Sequence, residues 1–231
     1  MASVAVPQKL FAECVGTLAI TLTAMCVDIV YYSGEDVGYV SRWLARGFIT
    51  ATAIYTLSEI SGAHLNPAVT VAFLLRRAMG WGLACAYLAA QVAGALAATA
   101  TAWLIFGNRF GLGASQPGPT VAGLTAAGVE AGLTAIVLVT VLVTAHEAVV
   151  GRDVALAVGL GIAACGLFGG SVSGASMNPA RSIVPLVLSG QAGLAWIYAA
   201  GPFGGAVIAT AIAYALCGSP SAPEAQAARG K

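Results

Sequence analysis

Charge is the scarcest property of this chain. Asp, Glu, Lys and Arg make up 8% of its 231 residues, and ten basic against nine acidic side chains leave a formal net charge of +1. That balance carries no basic patch for nucleic acid and no acidic or basic tail for a charged partner. Cysteine is sparse and scattered: Cys14, Cys26, Cys85, Cys165 and Cys217 lie inside apolar stretches, without the spacing of a metal centre or a disulfide framework, and read as buried thiols. No nucleophile–base pair, metal-ligand cluster or cofactor motif stands out, so an enzyme is not expected. The first apolar run has no small-residue cleavage site and ends at the interfacial pair Tyr31-Tyr32, so it reads as an uncleaved span.

What remains is apolar. Hydrophobic residues supply 59% of the chain and the mean hydropathy is +0.89, the composition of a protein dissolved in lipid. Apolar runs near 10–31, 43–60, 80–106, 121–145, 154–170 and 192–217 give six spans of about 20 residues. An even count puts both termini on one side. Lys9, Arg76, Arg77, Arg152, Arg229 and Lys231 then share that side, against Arg42 and Arg109 opposite, so the positive-inside rule makes it cytoplasmic. Twenty-nine glycines, among them Gly94, Gly132, Gly161, Gly204 and Gly205, suit close helix packing in a bilayer. The tail 219–231, rich in Ala, Pro and Ser, reads as disordered and cytoplasmic.

Two phrases 112 positions apart repeat one another: Ser61-Gly62-Ala63-His64-Leu65-Asn66-Pro67-Ala68 and Ser173-Gly174-Ala175-Ser176-Met177-Asn178-Pro179-Ala180. Asn is a favoured N-cap, and Pro at the first helical position gives up an N–H that would go unpaired, so each phrase starts a helix. The runs that follow, Val69 to Leu75 and Arg181 to Leu188, are too short to span and read as re-entrant half-helices. Glu13 and Glu130 also recur at matching places in the first and fourth spans. Three spans plus a half-helix thus occur twice, in halves of about 1–110 and 111–218 of one channel domain. An odd number of spans per half makes the copies inverted, which brings Asn66 and Asn178 together at mid-depth. Irregular backbone in the membrane must be buried in protein or line water, and a water-lined path is the economical reading. A carboxylate inside a span needs an inward partner. Glu13 and Glu130 are expected to brace the unpaired N–H groups of their own re-entrant loops, with proton relay as the alternative.

The paired Asn66-Pro67-Ala68 and Asn178-Pro179-Ala180 boxes, the post-box Arg181 and the two span glutamates resemble the major intrinsic proteins, the aquaporin and aquaglyceroporin family. The resemblance covers nearly the whole chain. It implies an all-α membrane fold of six spanning helices plus two half-helices, a homotetramer with one pore per subunit, and residence in the plasma membrane. Each half-helix aims its positive dipole end at the pore centre, where the Asn66 and Asn178 amides offer donors to a passing oxygen, so neutral hydroxylated solutes are favoured and cations repelled. His64 matches the family's pore-lining motif histidine, and a histidine satisfied by nearby backbone is the other reading.

Counting from the boxes carries over the family's outer selectivity filter as Arg46, Gly166, Ala175 and Arg181. The small Gly166 and Ala175 depart from water-selective members, which place histidine and often cysteine there, and imply a wider opening. Arg46 is unusual: it turns inward as a second filter cation, pairs outward with Glu35 or Asp36, or snorkels to headgroups. The second box and Trp196-Ile197-Tyr198 are similar to the nodulin-26-like branch, while Ser182 stands where dedicated glycerol facilitators usually have Asp. The expected function is passive conduction of water and small uncharged solutes, tilted toward glycerol, arsenite or boric acid. A water-selective pore is the alternative. An ion-coupled secondary transporter is the reading from another class, with Asp28, Glu13 and Glu130 as its candidate coupling residues.

Overall fold

A computed structural model describes residues 4–35, 37–149 and 151–230. Asp36 and Lys231, which enter the charge reading above, lie outside the described residues. All regular structure among the described residues is helical. The order is α1 (Val6–Tyr32), α2 (Tyr39–Ser61), α3 (Pro67–Leu75), α4 (Trp81–Phe106), α5 (Gly123–His146), α6 (Gly151–Ser173), α7 (Pro179–Leu188), α8 (Ala195–Cys217) and α9 (Ala222–Ala227), with short 3-10 turns before α5 and α8. The pattern long, long, short, long occurs twice.

Five helices, α1, α4, α5, α6 and the segment ending in α8, are long and apolar enough to cross a membrane. The sixth expected span, α2, has 23 residues but carries Arg42, Arg46 and Glu59. Its length of about 34 Å matches a bilayer core, and its place in the repeat equals that of α6.

Packing follows the repeat. α1 lies on α4 as α5 lies on α8, and α2 meets α6 across the centre. At that crossing a Cβ on Gly47 would sit 2.5 Å from the Gly159 carbonyl, and one on Gly159 would sit 2.6 Å from that of Gly47. The two backbones touch because neither residue has a side chain. Gly94 against the Cys14 carbonyl and Gly205 against that of Ala131 do the same work in the outer pairs. Gly132 and Gly161 do not: nothing lies within 4 Å of a Cβ there, and Gly204 meets only the Ala131 methyl. The helix-packing reading within the chain therefore fails for Gly132 and Gly161, whose helix faces meet no neighbour, while Gly204 makes only an ordinary van der Waals contact with α5.

The tail is a second correction. Rather than being disordered, 222–227 forms α9, started by the Ser221 side chain on the Glu224 N–H (3.2 Å). Arg76 donates to both Glu224 oxygens at 2.7 Å, and both side chains are fully buried. Ser221 donates to the His146 carbonyl (3.0 Å), and Lys9 Nζ donates to the Arg229 carbonyl (2.5 Å). A small-residue composition suits close docking as readily as disorder, and here Gly62 and Gly230 admit the opposing backbones of Ala227 and Ile60.

Candidate channel site

Both re-entrant loops are held in conformations that L-residues avoid. Ala63 and Leu65 have φ of 49° and 52°, and their counterparts Ala175 and Met177 have 40° and 55°. Each such residue costs about 1–2 kcal/mol, so something must hold it. The span glutamates do. Glu13 accepts from Ser61 Oγ (2.7 Å) and the His64 N–H (2.9 Å) on Oε1, and from the Leu65 N–H (2.7 Å) and Gln91 Nε2 (2.8 Å) on Oε2. Glu130 accepts from Ser173 Oγ (2.8 Å), the Ser176 N–H (2.8 Å) and the Met177 N–H (2.7 Å). Tyr87 and Tyr198 complete the symmetry by donating to the Ser61 and Ser173 carbonyls, each at 2.7 Å. Alternating left-handed residues turn successive N–H groups to one side, and a single carboxylate collects them.

At the loop ends Asn66 and Asn178 start α3 and α7. Asn66 Oδ1 accepts from the Ala68 N–H (2.9 Å), and Asn178 Oδ1 from the Arg181 N–H (3.3 Å). Pro67 and Pro179 take the first helical positions, and Ala68 and Ala180 follow, buried. Each Nδ2 reaches across to the other loop, Asn66 to the Met177 carbonyl (2.8 Å) and Asn178 to that of Leu65 (2.9 Å). One N–H of each amide is thereby committed to the opposite loop.

Both asparagines line a cavity of about 390 Å³. Its long walls are apolar, with Ile20, Ile54, Val137, Val158 and Ile162. Arg46, Ala175 and Arg181 lie on its lining at one end, His64 farther in, and the tail residues Pro223, Gln226, Ala227 and Gly230 at the other. His64 is 3% exposed, its Nδ1 3.0 Å from Thr70 Oγ1 and its ring stacked on Phe73 at 4.9 Å. Ser176 occupies the matching place in the second half and pairs with Ser182.

Gly166 is absent from the lining. A Cβ there, or on Gly170 one turn later, would strike the indole of Trp43, which is fully buried. The two glycines form a groove that Trp43 fills, so the missing side chain at 166 is used for packing rather than left as open space.

Arg46 turns inward, and its partner is neither Glu35 nor a headgroup. It pairs with Asp28 of α1, which also receives Arg42 (Nε to Oδ1, 2.7 Å) and Arg181 (Nη2 to Oδ2, 3.2 Å). Arg46 lies 4.2 Å over the Trp43 ring. Arg181 also donates to Ser115, from the segment between α4 and α5, and Ser115 is 2.6 Å from Ser182. Sequence reasoning missed Trp43, Ser115 and the place of Asp28 here. The i, i+4 spacing of Gly166 and Gly170 was a legible sign of the Trp43 groove, whereas nothing in the sequence ties Ser115 to Arg181.

Comparison with known proteins agrees with this architecture. The major intrinsic protein family profile matches residues 1–214. Aquaporin NIP1-3 of Oryza sativa subsp. japonica is 37% identical over 220 residues, covering 94% of this chain and 76% of that protein. The lens fiber major intrinsic protein of Gallus gallus is 36% identical over 222 residues, covering 93% and 83%. Among solved structures, the aquaglyceroporin from Plasmodium falciparum superposes with a TM-score of 0.82 at 20% identity, covering 92% of this chain and 98% of that one, and so shares the fold. With its two boxes lining one cavity in an all-helical membrane fold, this chain belongs to the major intrinsic protein family, and nodulin-26-like aquaporins are among its similar relatives.

Proposed function

We propose that this channel passively conducts small uncharged solutes, favouring polyols and neutral oxyacids such as glycerol, boric acid and arsenite over strict water selectivity. One observation carries the reading: the cavity is two-sided. Guanidiniums of Arg46 and Arg181 stand at its outer end beside the small Ala175, while Ile20, Val158 and Ile162 make an apolar wall. A polyol presents hydroxyls to one side and C–H groups to the other, and its oxygens accept from the planar guanidinium donors. The inward dipoles of α3 and α7 and the second amide N–H groups of Asn66 and Asn178 then pass neutral oxygens and oppose cations.

Further parts of the reading rest on family likeness and charge placement: a homotetramer with a pore in each subunit, in the plasma membrane, with both termini cytoplasmic. Against ion coupling, the three candidate carboxylates are already engaged. Glu13 and Glu130 hold loop N–H groups, and Asp28 holds arginines.

Stopped-flow shrinkage of proteoliposomes with water, glycerol, urea, boric acid and arsenite tests the proposal. Glycerol and the two oxyacids are expected to cross well above the rate of empty liposomes, independent of proton or sodium gradients. Rapid water flux with none of the larger solutes passing would establish the water-selective alternative instead.

A further inference from the structure

Asp28 sits in the first span, and no box or filter position points to it. Yet its carboxylate is the only anionic group within reach of three guanidiniums among the described salt bridges: Arg42 and Arg46, one turn apart on α2, and Arg181 in the first turn of α7. All four side chains are at least nine-tenths buried. Arg46 and Arg181 line the cavity; Arg42 does not, and lies instead 4.7 Å over the rings of both Tyr31 and Trp43.

Three guanidiniums gathered in a site of low dielectric repel one another strongly, and the half-helix dipole of α7 adds to the positive field. Asp28 Oδ2 is shared by Arg46 and Arg181, so one oxygen joins the two cavity-lining arginines, which come from different halves of the repeat. Oδ1 takes up Arg42, which keeps the third charge off the cavity wall.

We infer that Asp28 is a positioning residue for solute selection, setting both the separation of Arg46 and Arg181 and the net charge of the outer constriction. The cluster carries three positive charges and one negative. With Asp28 present, both guanidiniums keep donors for a neutral oxygen without forming a trap for anions. Without it, the uncompensated cluster would hold a small anion in the solute's path. The inference rests on the reading of Arg46 and Arg181 as constriction residues, and the experiment separates the two.

Full-length wild type, Asp28→Asn, Arg46→Gln and the double variant would be reconstituted, and glycerol flux measured in chloride and in gluconate of equal osmolarity. Wild type is expected to be indifferent to the anion. Asp28→Asn should be slowed several-fold by chloride, and the double variant, which restores the original net charge of the cluster, should again be indifferent. A purely structural role for Asp28 would lower the amount of active channel equally in both anions.

Anion-independent flux with wild-type solute ranking in Asp28→Asn would overturn the inference. If Asp28→Asn does not fold, folding of the double variant with anion-independent flux supports charge balance, and its failure to fold overturns it. Unchanged solute ranking in Arg46→Gln would instead overturn the constriction reading, whereas a changed ranking there beside an inert Asp28→Asn would remove Asp28 alone.

Discussion

Asn66 and Asn178 brace each other's loops: each side-chain amide donates to the carbonyl immediately before the other's asparagine, at 2.8 and 2.9 Å. The two helix starts are thereby locked at one depth, with their positive ends converging. Replacing either by Asp removes that donor and puts a negative charge where the dipoles meet. Asn178→Asp is expected to lower glycerol flux and admit cations, read as shrinkage rate and as sodium leak from the same vesicles. Unchanged flux with intact ion exclusion would refute the central-pore assignment.

Glu13 and Glu130 should be equivalent under mutation, because each collects the N–H groups of a strained loop. Gln in either place turns an acceptor into a donor facing donors. A buried donor left unpaired costs about 1–3 kcal/mol, so each variant should lose at least that much stability. Thermal unfolding in detergent would show this as matched drops in Tm, and a silent Glu130→Gln would remove the bracing role.

Ala175 faces the cavity, whereas Cys165 is 2% exposed and lies off it. Ala175→Cys should therefore narrow the path, slow glycerol more than water, and make flux sensitive to a mercurial that leaves the parent protein conducting. Block of the parent at equal dose would place a reactive native thiol on the path. Gly166→Ala, by contrast, drives a methyl into Trp43 and should lower stability.

The tail offers a pH prediction. Burial alone would push the Glu224 carboxyl up, but hydrogen bonds from Arg76 and His146 outweigh it and hold the group below the ordinary carboxylate range. A depressed carboxylate stabilises the docked tail above its unfolded pKa, and that contribution is lost only as pH falls through the lower, folded value. Between about pH 5.5 and 8, then, Glu224 should cause no change in flux. Removing 219–231 takes Pro223, Gln226 and Ala227 off the cavity lining and should raise flux at every pH. A truncated channel with parental rates would show that the tail leaves the path wide enough already.

Much of the molecule was legible in the order of residues. Asn66-Pro67 and Asn178-Pro179 start helices by capping chemistry that acts within three residues. The six runs are set by the length of apolar chain a bilayer demands, and the inverted repeat follows from counting them. Even the bracing role expected of Glu13 and Glu130 rests on a local rule, that a carboxylate in a span must find donors.

Tertiary structure decided the rest. The i, i+4 glycines Gly166 and Gly170 mark a groove, but that it seats an indole depends on Trp43, 123 positions earlier, and nothing in the sequence says which side chain fills it. Whether Arg46 turns to headgroups or inward depends on an aspartate in another helix that already holds two more guanidiniums. The tail is polar, small and short, the composition of a disordered segment, but Arg76 at the end of α3 supplies a buried partner for its one inward carboxylate. Capping, span length and repeat are properties of neighbours in sequence. Charge pairing and void filling depend on which side chains meet across helices, and only the folded chain brings those together.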